Sequence, residues 1–240
     1  MPVTEIALLQ YPCRPVPGRP GEFFTFTTDL LLVLDDAARA QASFSGYPVT
    51  LLNGLEDQWD IYLIGGWDSI SHHMDKWIPS EINQKLLETL GKHGVEVKWM
   101  FHLDCEPKDL LHGCINPTYM QEGVVSMSRH FMKKDQRQQF QDFWDANTGP
   151  LDRHMGGKDK RREGWRLDHG YEAGKGNIEE QKGMFGSADG EEFVSFSAWQ
   201  NLERSDSFVE TKGFEKFSDF GQFLKGFWVR HGRVIDNVDP

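Results

Sequence analysis

Apolar positions along the chain fall into two similar rounds of elements. In the first round, residues 4–10 read as a strand, 28–45 as a helix, 49–55 and 61–67 as strands. Residues 71–90 follow as a second helix, because Met74, Trp77, Ile78, Ile82, Leu86 and Leu90 recur at helical spacing. Residues 97–102 close the round as a strand. In the second round, the expected strands are 124–132, 164–168, 193–199 and 226–231, with helices over 134–147 and 203–224. Gly149-Pro150 punctuates the first of these helices. Each half thus reads β-α-β-β-α-β, the ferredoxin-like split unit.

The two rounds also match in detail, and a fixed internal period is the signature of a duplicated unit. An apolar run ends at Trp67 in one half and at Trp199 in the other, 132 residues on. Trp99-Met100-Phe101-His102 is matched by Trp228-Val229-Arg230-His231, 129 residues on. The expected division is an N-terminal repeat over 1–105, a linker over 106–123 carrying Pro107 and Pro117, and a C-terminal repeat over 124–240. A four-stranded sheet with helices on one face leaves the other face bare. Two repeats packed sheet to sheet would bury both. The expected fold class is therefore α+β: two ferredoxin-like repeats forming an intramolecular dimeric α+β barrel.

Charge narrows the partners. The chain carries 26 basic and 37 acidic residues, a net −11. That balance argues against nucleic acid, whose phosphates need a basic face, and against an anionic lipid surface. The basic run at 158–162 lies between glycines and reads as a solvated loop. No apolar run approaches the roughly 20 residues of a membrane span, and the N-terminus lacks the pattern of a signal peptide. Cys13, Cys105 and Cys114 are an odd, sparse set. Reduced thiols and a cytoplasmic location are the expectation.

Strand parity suggests where chemistry could sit. Residues i and i+2 share a face. If the helix-covered face is apolar, then Ser126, Ser128, His130, Phe193, Ser195, Ser197 and Trp199 should face the barrel interior. A pocket leaning toward the C-terminal half follows. His130 is the expected general base, with His231 and His102 as rivals, since imidazole titrates near neutral pH. Arg166 or Ser197 would be the anion partner, and Phe193, Trp199 and Trp228 would wall in a flat substrate. His73 and Trp77 are one helical turn apart and are read as packing partners, with Asn83 bonding nearby backbone. His102, Asp104, Cys105, His112 and Cys114 match no zinc spacing, so no metal is expected. Gly-x-Ser-x-Gly, phosphate-loop and dinucleotide fingerprints are absent. The glycine-rich stretches 170–176 and 183–190 read as long loops, one of which could serve as a lid.

The chain resembles the dimeric α+β barrel superfamily, and specifically the tandem antibiotic-biosynthesis-monooxygenase-like proteins of fungi. The resemblance rests on Thr4-Glu5-Ile6-Ala7, on Trp67-x-Ser69-x3-His73-x3-Trp77-Ile78-Pro79-Ser80, and on Trp99-Met100-Phe101-His102-x-Asp104. In the second half it rests on Arg129-His130-Phe131, Gly164-Trp165-Arg166-Leu167-Asp168 and Glu210-Thr211-x-Gly213-Phe214. It implies an enzyme of small-molecule metabolism that acts without a cofactor on a hydrophobic aromatic or polyketide-like molecule, by oxygenation or by acid/base cyclisation or isomerisation. Cyclases and haem enzymes of this group place a histidine where this chain has Ser80-Glu81 and Lys212-Gly213. A haem enzyme of the same fold is one alternative and a non-catalytic ligand-binding barrel the other. The partner is a small hydrophobic molecule, and the assembly a monomeric pseudo-dimer or a homodimer.

Overall fold

The computed structural model describes residues 1–12, 26–115, 123–133, 135–168 and 191–235. The expected loops at 170–176 and 183–190, and Cys13, lie outside them. The strands are β1 (Val3–Gln10), β2 (Thr50–Gly54), β3 (Asp60–Trp67), β4 (Glu96–Leu103), β5 (Val124–Met132), β6 (Arg161–Trp165), β7 (Glu192–Trp199) and β8 (Leu224–Val234). They form one eight-stranded sheet in the order β4-β1-β3-β2-β8-β5-β7-β6, with every pair antiparallel. The order β4-β1-β3-β2 recurs position for position as β8-β5-β7-β6. The outer strands then meet. Leu103 bridges Arg166, Asp104 N–H donates to the Trp165 carbonyl at 3.0 Å, and Leu167 N–H donates to the His102 carbonyl at 2.8 Å. The sheet closes on itself through this short seam.

Helices cover the outside. Helix α1 (Thr28–Ser45) runs over the residues its pattern predicts; Thr27 Oγ1 caps its N-terminus and Gly46 ends it in the left-handed region. The expected helix 71–90 is split. A π-helical turn, His72–Trp77, comes first, and α2 (Glu81–Lys92) starts afresh. Pro79 has no N–H to continue the helical ladder, and Ser80 after it is extended. Ser80 then caps α2 by accepting from Asn83 N–H at 3.2 Å. In the second half, α3 (Arg137–Asn147) and α4 (Gly149–Met155) are followed by short helical pieces, Leu202–Asp206 and Lys212–Phe217, joined by 3₁₀ turns. Asn201 and Thr211 cap the two pieces and so interrupt the expected helix 203–224. No helix among the described residues is long and apolar enough to cross a membrane.

Three layers of core result. Inside the barrel lie Ile6, Tyr62, Phe101, Val125, Met127 and Phe196, all buried. The segment between the halves adds Leu110, Leu111, Cys114 and Ile115 to the same interior, from and beside the π-helical turn Asp109–Cys114. Between sheet and helices, each half has its own outer core. Their fillings differ: the first is aliphatic, the second is packed with aromatic rings.

Parity is opposite to the sequence expectation. The barrel interior takes Val125, Met127, Arg129 and Phe131 of β5 with Val194, Phe196 and Ala198 of β7. Ser126, Ser128, His130, Phe193, Ser195, Ser197 and Trp199 therefore point toward the helices. The premise that helices demand an apolar sheet face is what fails. The helix side offers polar partners, such as Trp199 Nε1 donating to Ser126 Oγ at 2.9 Å and the Arg161–Asp152 ion pair at 2.9 Å. The interior of a closed sheet offers few.

Gly66 marks a close approach on β3 to two rigid neighbours. A Cβ there would lie 2.5 Å from Pro107 Cβ and 2.7 Å from Tyr47 Cβ. Neither neighbour is a flexible side-chain end. Gly66→Ala is expected to lower stability by about 1–3 kcal/mol, read from urea unfolding followed by tryptophan fluorescence.

Candidate functional site

Glu5 is the anchor of the site. Its side chain leaves β1 on the helix face and is 5% exposed. A buried acid needs hydrogen-bond donors, and two reach Oε2: Trp67 Nε1 and Gln41 Nε2, each at 2.7 Å. Gly65 makes room for the second, because a Cβ there would meet Gln41 Nε2 at 2.5 Å. Oε1 stands 3.7 Å from His73 Nε2.

His73 is placed by the π-helical turn, which carries it over Trp67. The two rings stack with centroids 4.3 Å apart and planes 6° from parallel. Its Nδ1 lies 2.7 Å from His102 Nε2. His102, at the end of β4, is held by the other half of the chain. Asp168 Oδ1 accepts from its backbone N–H at 3.1 Å, and Oδ2 is 3.5 Å from its Nδ1.

Electrostatics choose the tautomers. Burial alone would raise the Asp168 carboxyl, but the His102 contacts and the Arg166 guanidinium outweigh it and hold it below the usual carboxylate range. An ionised Asp168 only accepts, which favours the His102 tautomer with its proton on Nδ1, 3.5 Å away. His102 Nε2 then accepts from His73 Nδ1–H, and His73 Nε2 is left with a lone pair. Burial pushes His73 down to about 4, against the opposing pull of Glu5. The ring is neutral at pH 7 and can accept a proton there.

His73 lines a cavity of about 400 Å³ between the sheet of the first half and helices α1 and α2. The volume lies within the usual range of small-molecule sites. Glu5, Gln41, His73 and Asn83 are the polar residues of its wall, and Leu34, Leu63, Met74, Trp77 and Met100 are among the apolar ones. Leu87 lines it and is exposed, so the cavity reaches the surface at α2.

The expected site residues are distributed differently. His102 joins this cluster. His130 lies in the other half, buried among Phe140, Trp144, Phe193 and Phe220 at 5.2–6.0 Å between centroids, and burial pushes it down to about 3. Neither of its ring nitrogens has a hydrogen-bond partner there. These rings, with Trp165 and Phe217, fill the space that is a cavity in the first half. Arg166 is engaged by Glu192 at 3.0 Å and Asp168 at 3.3 Å. Trp228 faces the barrel interior beside Tyr62 and Arg129. His231 bonds Glu56 and Ser205 near the surface. Glu5, Gln41 and His73, which line this cavity, are not among the site residues expected from the sequence. A lone acid inside the apolar run of β1 was the available signal.

The sequence matches no family model and no curated protein. Solved structures do match. A candidate monooxygenase from Fusobacterium nucleatum subsp. nucleatum ATCC 25586 superposes with a TM-score of 0.58 at 8% identity, over 98% of this chain and 93% of that one. An anthrone oxidase-like protein gives 0.55 at 12% identity, covering 98% and 92%. A haem-binding protein from Thermus thermophilus gives 0.51 at 10%, covering 98% and 91%. These likenesses show the fold: an α+β barrel with an eight-stranded antiparallel sheet.

Acid should weaken the folded state through the two buried rings. In the unfolded chain each protonates near 6.5; folded, His73 does so only near 4 and His130 near 3. The native state binds fewer protons in between, so the stabilisation present above 6.5 is lost as pH falls. The limiting slope is about 1.4 kcal/mol per pH unit for each ring. His130→Phe is expected to flatten this loss between pH 6.5 and 4, measured by urea unfolding across that range. An unchanged slope would count against the burial argument.

Proposed function

We propose that the chain is an enzyme of small-molecule metabolism that removes a proton from a hydrophobic, flat, aromatic or polyketide-like substrate held in the cavity of its first half. The observation that carries this is the juxtaposition of an apolar cavity with a neutral, oriented His73 and an adjacent Glu5. His73 Nε2 takes a proton from an acidic C–H or phenolic O–H of the bound molecule. The imidazolium formed faces Glu5, and its Nδ1–H is already directed into His102 and Asp168. That arrangement follows the logic of an orienting acid behind a base. Gln41 and Asn83 supply donors to the oxygen of the resulting anion. The anion then cyclises, isomerises or reacts with oxygen; the largely apolar walls favour each of these by limiting water around it.

The reading is of a cofactor-independent enzyme. A haem would need basic partners for its propionates and an imidazole free to ligate iron. The cavity wall contains no lysine or arginine among the described residues, and His73 is stacked on Trp67 with its Nε2 turned toward Glu5. The donor set does not fit haem.

The chain is also read as an internal duplication. Trp67 donates to Glu5 as Trp199 donates to Ser126, and His102 meets His73 as His231 meets Ser205. Asp168 holds His102 as Glu56 holds His231. On this reading two ferredoxin-like units form the barrel, and the first keeps an open cavity where aromatic rings fill the second.

Three variants test the assignment. Glu5→Gln and His73→Gln should each reduce turnover of a polycyclic phenol or ketone by about a hundredfold or more, with binding largely kept. Ala37→Trp, on the cavity wall, should abolish binding, read by quenching of tryptophan fluorescence. Binding that survives Ala37→Trp would place the ligand elsewhere. Intact binding with no turnover in the parent would favour a ligand-binding barrel. A strong absorbance band near 400 nm after adding hemin, abolished by His73→Gln, would overturn the cofactor-independent reading.

A further inference from the structure

Glu56, His231 and Ser205 come from three separate parts of the chain: the turn after β2, strand β8 and the short helix Leu202–Asp206. They nonetheless form a line of two hydrogen bonds. Glu56 Oε1 lies 2.7 Å from His231 Nδ1, and His231 Nε2 lies 3.0 Å from Ser205 Oγ. Both Glu56 oxygens also accept from the His231 backbone N–H, at 3.1 and 3.0 Å. A carboxylate can only accept, so it fixes the His231 proton on Nδ1. Nε2 is left to accept the proton of the serine hydroxyl.

The environment suits a solvent-reached site. The His231 side chain is 14% exposed and that of Glu56 38%. Ser205 is half-buried. The corresponding place in the other half holds His73, an imidazole sealed against a cavity. The second half thus sets a nucleophile where the first sets a base.

We propose that Ser205, His231 and Glu56 are a second catalytic centre, a nucleophilic triad for small activated carboxylic esters. Ser205 Oγ attacks the ester carbonyl carbon while His231 Nε2 takes its proton. The carbon–oxygen bond to the leaving group breaks, and the leaving group departs with that proton as an alcohol or phenol. Ser205 is left acylated. Water, deprotonated by His231, attacks the acyl carbon, releases the acid and returns the proton to Ser205. The net reaction is ester plus water giving acid plus alcohol, with no oxidant or reductant. The roles follow the general pattern of a nucleophile, a base and an orienting acid. The centre makes no use of the cavity around His73.

The test uses the full-length chain and two probes: a small alkyl fluorophosphonate, which phosphonylates an activated serine with loss of fluoride, and p-nitrophenyl acetate. Intact mass and peptide mapping should show one adduct, on Ser205, absent in Ser205→Ala. Glu56→Gln and His231→Gln should slow both labelling and ester turnover by about a hundredfold. Ser207→Ala, which removes a hydroxyl bonded to His154 instead, should label at the parent rate. Near-UV circular dichroism matching the parent shows that each variant is folded. No adduct on Ser205, equal labelling of Ser205 and Ser207, or a parent rate in folded Glu56→Gln would each overturn the proposal.

Discussion

Two carboxylates, each reaching from one half of the chain to a histidine at a strand end of the other, tie the molecule together. Asp168 holds His102, and Glu56 holds His231. At both seams the neighbouring residue adds a backbone bond, Leu167 N–H to His102 and Leu55 N–H to His231. The same contacts that close the sheet therefore decide which ring nitrogen carries a proton. Fold closure and site chemistry are one set of interactions, and a change at either carboxylate acts on both.

The halves share this scheme but fill their interiors differently. In the first, α1 and α2 stand off from the sheet and leave a cavity; in the second, aromatic rings occupy that space around His130. A close-packed aromatic core resists volume change, so the second half acts as a stiff wall against which the first is positioned. The Arg129–Glu192–Arg166 cluster in the barrel interior joins the two, with Arg129 over Trp99 and Trp228 and Arg166 over Phe101. Buried charges of this kind are tolerated because each is paired.

Much of the fold is legible in the sequence. The residues of β5 and α1 follow from apolar periodicity alone, and the Trp and His matches point to the repeated strand order. The site is less legible, for definite reasons. Parity gave the right alternation on β5 with the wrong sign, because alternation says which residues share a face and not which face is buried against what. His130 drew attention as a strand histidine, yet its environment is set by rings from α3 and the 3₁₀ turn at Phe220, distant in sequence. His73 read as packing because helical spacing placed it beside Trp77; the π-helical turn instead lays it on Trp67. Glu5 sits in an apolar run whose meaning depends on Gln41 and Trp67, far along the chain. Long-range pairings of that sort leave no local pattern.

The closed ring of strands has a consequence for mass action. Barrels of this outline can be completed by two separate chains, and such an assembly loosens on dilution. Here both seams are intramolecular, so the partner of each edge is present at a fixed local concentration set by the chain itself. Dilution has no purchase on these seams.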